Sequence, residues 1–158
     1  MSTLRPDETT VDGTGRRFAV VAARFNREVV DRLLDGALRA FERHGVAPGD
    51  VEVHRVPGAW EIPQALGALA RRGGCDGLVA LGAVVRGGTP HFEYVAAECS
   101  RGIAEVARQF ALPVAFGVLT CDTMEQALAR AGGAAGNKGE EAALAALEMA
   151  ELVARISA

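Results

Sequence analysis

Four short apolar runs, each followed by a polar turn and then an amphipathic stretch, constrain this chain more than any other feature. The runs are Phe18–Ala23, Val51–Val56, Leu78–Val85 and Val114–Leu119. Each is the length of a strand; Phe18–Ala23 is apolar throughout, as expected of a strand covered on both faces, while Val51–Val56 alternates with Glu52, His54 and Arg55,. Between them lie stretches with helical spacing. Glu28–His44 places Val29, Val30, Leu33, Leu34, Ala37, Leu38 and Phe41 three and four residues apart,. Gly45 follows, where a left-handed cap is needed. Ile62–Arg72 and Phe92–Phe110 read as the second and third helices, and Gly73-Gly74 ends the second. Asp122 or Thr123 can cap a fourth over Met124–Ala131. The glycine-rich segment 132–139 reads as a loop, and Glu140–Ile156 as a last helix. The order βαβαβαβαα predicts a parallel sheet with helices on both faces and right-handed crossovers. A flavodoxin-like, three-layer α/β sandwich with a four-stranded parallel sheet fits it best.

The 158 residues are enough for one domain, and 49% are apolar, which excludes a disordered chain,. Residues 1–16 are polar and read as a flexible arm, free to add a strand to a neighbour; residues 17–158 read as one domain. No run of about 18 uncharged apolar residues is present, so no membrane span is expected. The first residues lack the apolar centre of a signal peptide. The net charge of −3, without a basic block, argues against nucleic acid as a partner,. Cys75, Cys99 and Cys121 are few and widely spaced, which suits reduced structural thiols in a cytoplasm. Neither they nor His44 and His54 have metal-ligand spacing.

Polar and aromatic residues collect just after the strands. They are Arg24-Phe-Asn26, Pro57-Gly-Ala-Trp-Glu61, Arg86-Gly-Gly-Thr-Pro-His91 and Thr120-Cys-Asp122. In a parallel sheet these four turns converge at the carboxyl edge, where ligands bind. Glycines 87 and 88 allow backbone N–H groups to approach an anion at a helix start. Each residue also has a plainer reading. His91 is a general acid/base or a helix cap. Arg86 is a ligand or a solvated charge. Thr89-Pro90 is an N-cap with the first helical residue, which is compatible with anion binding. Trp60 is a platform or packing, and Glu61 a ligand or a charge complementing the helix dipole. Phe25 is odd as core and could stack on a planar ring. Arg130 and Lys138 are solvated charges or anion partners. The stripe Val95, Cys99, Ile103, Val106, Phe110 could face the sheet or a neighbouring subunit. Gly133-Ala-Ala-Gly-Asn-Lys138 lacks the spacing of a P-loop. Neither G-x-G-x-x-G nor G-x-S-x-G is present.

Taken together, these motifs resemble the 6,7-dimethyl-8-ribityllumazine synthase family of riboflavin biosynthesis. The resemblance is carried by Arg24-Phe-Asn26, Val56-Pro-Gly-Ala-Trp-Glu-Ile-Pro63, Leu81-Gly-Ala-Val-Val-Arg-Gly-Gly-Thr-Pro-His-Phe-Glu-Tyr-Val95, Phe116-Gly-Val-Leu-Thr120, Glu125-Gln-Ala-Leu-Ala-Arg-Ala-Gly132 and Gly136-Asn-Lys-Gly139. They stand in family order over about residues 18–156. Trp60 departs from the pattern, since Phe or another apolar residue is common there. The resemblance implies a transferase condensing 5-amino-6-(D-ribitylamino)uracil with 3,4-dihydroxy-2-butanone 4-phosphate, releasing phosphate and water, without metal or organic cofactor. It implies that Phe25 stacks on the pyrimidine and that Ala59, Trp60 and Glu61 line the ribityl pocket. Ala83, Val84 and Val85 would meet the uracil edge, Gly88, Thr89 and Arg130 the phosphate, with His91 as acid/base. Phe116 and Lys138 would complete the site, with Phe116 and Arg130 reaching in from an adjacent chain. A cytoplasmic homopentamer is implied, with the α-helical stripe lining its axis. The short loop from Arg130 to Lys138 favours a 60-subunit icosahedral shell. A non-catalytic flavin- or lumazine-binding or shell-forming protein on the same scaffold is the alternative.

Overall fold

A computed structural model describes residues 11–158. The expected arm lies mostly outside these residues. Its described part, 11–16, is tied to the body: Gly13 donates its N–H to the His44 carbonyl at 2.7 Å, and His44 Nδ1 lies 3.0 Å from the Val11 carbonyl oxygen.

The strands are β1 (Phe18–Ala23), β2 (Val51–Val56), β3 (Gly77–Val85) and β4 (Val114–Cys121). All pairings among them are parallel, in the order β2-β1-β3-β4. The helices are α1 (Arg27–Arg43), α2 (Ile62–Arg72), α3 (His91–Phe110), α4 (Met124–Ala129) and α5 (Lys138–Ser157). The three-layer α/β architecture expected from the alternation is the one observed.

β1 is buried along its whole length, so its period of two sorts its side chains into two cores,. Phe18, Val20 and Ala22 join a cluster with Leu33, Phe41 and Leu147 from α1 and α5. Ala19, Val21 and Ala23 join a second cluster with Ile62 and Leu66 of α2 and Cys99, Ile103 and Val106 of α3. The α3 stripe therefore faces the sheet and α2 within its own chain, and is not available to line an axis between subunits. Burial pushes the Cys99 thiol up to about 11, as suits a core side chain,. All three cysteines are free.

Two glycines set boundaries. Gly45 has φ 87, the left-handed conformation that stops α1,. Gly139, in the first turn of α5, lets that helix lie against α1: a Cβ there would collide with the Leu33 carbonyl.

Several boundaries differ from expectation: β4 runs on past Leu119, so Thr120 and Cys121 belong to the strand and not to the turn after it. α4 stops at Ala129, and the segment expected as a loop contains a small antiparallel hairpin, β5 (Ala131–Gly133) with β6 (Gly136–Asn137). A hairpin of glycines and alanines has no apolar alternation by which to recognise it. Asn137 then caps α5, its side-chain oxygen accepting from the N–H groups of Gly139 and Glu140, which adds two residues to the front of the expected helix.

Candidate active site

The carboxyl ends of β1, β2 and β3 open onto a cavity of about 490 Å³, the size of a small-ligand site,. Its floor is the end of β3, Ala83, Val84 and Val85. One wall is Pro57–Glu61 and the other is Gly87, Thr89, His91, Phe92 and Val95. Phe25 stands at the mouth.

Each wall is held by the backbone. After β1 the chain stays pinned to β2, with Arg24 N–H donating to Val56 O at 2.8 Å and Phe25 N–H to Pro57 O at 3.1 Å. Asn26 turns the chain in a left-handed conformation, φ 59 and ψ 45. Its Nδ2 donates to Ala83 O at 2.8 Å, joining the ends of β1 and β3. Such a conformation is costly for a non-glycine residue and persists where neighbours over-determine it. The result is that Phe25 is 70% exposed although its backbone is fixed. An apolar ring presented in this way has a face open to stack on a planar group, and Trp60, 58% exposed, has another,.

A single 3₁₀ turn, Ala59–Glu61, leads directly into α2, and Pro63 sits in the first turn of that helix. Glu61 Oε2 is buried and has no hydrogen-bond partner among the described residues. An acceptor in this state has capacity for a donor that the described residues do not supply,.

Helix α3 begins at His91, one residue before the expected Phe92, with Pro90 and not Thr89 as its cap, so Thr89 lies outside the helix and caps nothing. The side chains of Thr89 and His91 make no hydrogen bond among the described residues. A hydroxyl and an imidazole with uncommitted polar groups, and the backbone of Gly87, therefore lie along one cavity wall. Arg86 is committed: Nε donates to Asp122 Oδ1 at 2.8 Å. Its two carboxylate neighbours, Asp122 first, raise its pKa, and the group stays charged.

The cavity thus brings together Phe25, Ala59, Trp60, Glu61, Ala83, Val84, Val85, Thr89 and His91. Gly88 lies between two lining residues without lining the cavity itself. Phe116, Arg130 and Lys138 do not line it. Phe116 is half-exposed on the edge strand β4, opposite Ala80. Arg130 and Lys138 are brought to each other, Lys138 N–H donating to Arg130 O at 2.9 Å. Lys138 Nζ pairs with Glu141 at 2.7 Å. Pro57, Gly58, Gly87, Phe92 and Val95 join the lining beyond the expected set. Phe92 and Val95 follow from α3 entering the wall one turn after the glycines. Among the described residues, no group of three His, Cys, Asp or Glu could hold a metal ion.

A family model for 6,7-dimethyl-8-ribityllumazine synthase matches residues 15–154. The chain is also 56% identical over 150 residues to a protein of that name from Anaeromyxobacter dehalogenans (strain 2CP-C), covering 95% of this chain and 93% of the relative.

Proposed function

From the premise that the chain belongs to the 6,7-dimethyl-8-ribityllumazine synthase family, we propose that it condenses 5-amino-6-(D-ribitylamino)uracil with 3,4-dihydroxy-2-butanone 4-phosphate. The products are the lumazine, inorganic phosphate and water, and the chain is an enzyme of riboflavin biosynthesis. The observation that carries this reading is the cavity itself. It has a fixed exposed aromatic at its mouth, an unmatched buried acceptor on one wall, and an uncommitted hydroxyl and imidazole on the other.

In this reading Phe25 stacks on the pyrimidine, and Ala83, Val84 and Val85 meet its edge. Ala59, Trp60 and Glu61 receive the ribityl chain, with Glu61 Oε2 accepting from a hydroxyl. Gly88 and Thr89 hold the phosphate beside the start of α3. His91 moves protons during imine formation and phosphate elimination, a task imidazole can do near neutral pH. No cofactor enters this chemistry. Holding the amine and the ketone together supplies much of the acceleration.

The dianionic phosphate needs a full cation, and the cavity lining contains none,. Arg130, with Lys138 and Phe116, is the cation group we assign to the site of a neighbouring subunit. Their place at the β4 side, away from the cavity of their own chain, supports a head-to-tail ring closed by cyclic symmetry. A pentamer, assembled further into a 60-subunit shell, is the assembly we propose. The short span between Arg130 and Lys138 supports the shell. No helix among the described residues is long and apolar enough to cross a membrane, and we place the enzyme in the cytoplasm.

Mixing the two substrates with the protein should give lumazine fluorescence and one phosphate per lumazine. Binding without phosphate release would instead support a non-catalytic lumazine binder. Light scattering should give the mass of a multiple of five chains, and a monomer would overturn the shared site.

A further inference from the structure

The proposed phosphate-side donors sit on a segment that has little to hold it. A Cβ added at Gly87 or Gly88 would meet nothing within 4 Å, so neither glycine is packed. Two adjacent glycines maximise backbone freedom. Thr89 and His91 contribute no side-chain hydrogen bond among the described residues. Within the segment itself, the turn bond from Glu93 N–H to Pro90 O at 3.0 Å is local and does not reach the sheet.

Arg86 supplies the missing tie. Its N–H donates to Cys121 O at 2.9 Å, which continues the β3–β4 pairing one residue past the strands. Its Nε donates to Asp122 Oδ1 at 2.8 Å, and its Nη1 reaches Glu93 Oε1 at 3.5 Å. Its Cζ lies 4.7 Å from the centroid of the Phe92 ring. One planar group thus joins the end of β4, its own place after β3, and the first turn of α3. Asp122 is held in turn, since Gln126 Oε1 accepts from its N–H at 2.8 Å. Val85 and Gly87 line the cavity, and Arg86 between them does not.

We propose that Arg86 is a positioning residue: by clamping the first turn of α3 to the end of β4 it fixes where Thr89 and His91 stand in the cavity. The role rests on the reading of the cavity as the condensation site. The clamp acts locally. Its side chain is 46% exposed, so its ion pairs add little to global stability. What it removes is freedom of residues 87–91, which would otherwise have to be ordered on binding. A fork with an aromatic-stacking face suits three simultaneous partners, and an ammonium does not.

The test compares the assembled wild type with Arg86→Ala, Arg86→Lys, Asp122→Asn and the Arg86→Ala/Asp122→Asn double variant. Arg101→Ala, which breaks an exposed ion pair with Glu98 farther along α3, is the control. Arg86→Ala should lower kcat/KM for the butanone phosphate by about tenfold to a hundredfold, through both kcat and KM. The KM for the pyrimidine should stay within about twofold, and the thermal midpoint should barely move. Arg86→Lys should recover part of the loss, the double variant should be no worse than Arg86→Ala, and Arg101→Ala should match wild type. Equal kinetics in Arg86→Ala and wild type, or parallel loss in both KM values with a lowered midpoint, would overturn the role. Hydrogen exchange at amides 93–96 reads the clamp without turnover. It should quicken several-fold in Arg86→Ala relative to the rest of α3, and unchanged exchange there would also overturn the clamp. A wild type that forms no lumazine would sink the reading of the cavity, leaving the clamp to stand or fall on the exchange.

Discussion

Glu61 holds a carboxylate oxygen out of water with no hydrogen-bond partner among the described residues. An acceptor left in that state costs about 1–3 kcal/mol until a donor arrives. Replacing it with an apolar side chain of similar shape should therefore help the empty protein and harm the enzyme. Glu61→Met is expected to raise the unfolding free energy by about 1 kcal/mol and to raise the KM of the ribityl substrate about tenfold. Denaturant unfolding and steady-state kinetics would check the two halves. His91 is a different case, since the proposed chemistry can proceed slowly by proximity alone. His91→Ala should lower kcat by about a hundredfold while leaving clear turnover; complete loss in a folded variant would contradict the assigned role. Both residues were singled out in the sequence because each lies in a polar turn that follows a strand. Arg86 was not: its principal partner lies 36 positions away, and only the pairing of β3 with β4 brings the two together. Nor was the left-handed turn at Asn26, whose anchor is the Ala83 carbonyl 57 positions on.

Among the elements, β2 is an edge strand and is strapped to α2 by charge. Glu52 accepts from both Nη atoms of Arg72, at 3.1 and 2.7 Å, and pairs with His54 Nε2 at 2.8 Å. Arg72 chiefly, then His54, draws the Glu52 carboxyl down from 4.5 to about 2. A depressed acid stabilises the fold above its unfolded value and ceases to do so as pH falls to its folded one. Glu52→Gln should therefore be less stable than wild type at pH 7, by under about 1 kcal/mol for so exposed a strap. That gap should close between pH 4.5 and 2, which chemical denaturation at pH 7 and pH 2 would reveal. Strands and long helices were readable because apolar period and burial coincide in them. The β5–β6 hairpin was not, because Gly and Ala carry too little surface to leave a pattern. The direction of the α3 stripe was also open in the sequence, since packing against a sheet or against a subunit requires the same apolar residues.

For the whole molecule, the separation of the cavity from Arg130 is the governing fact. The proposed shared site predicts complementation. Phe25→Ala and Arg130→Ala damage opposite contributions of one chain, so random co-assembly should give about a quarter of sites with both contributions intact. Co-expressed variants should then exceed the mean of the two assayed apart, and activity equal to that mean would place both residues in one chain's site. The sequence placed Phe116, Arg130 and Lys138 by resemblance alone, because no pattern within a chain encodes which copy completes a pocket. The proposed sharing of the site between chains has a kinetic meaning as well. In that proposal the neighbouring chain enters the rate law as a reactant does, with its own saturation. Activity per chain should then follow the fraction of chains that have found a neighbour, and the association constant of the ring becomes, in effect, a Michaelis constant for the protein itself.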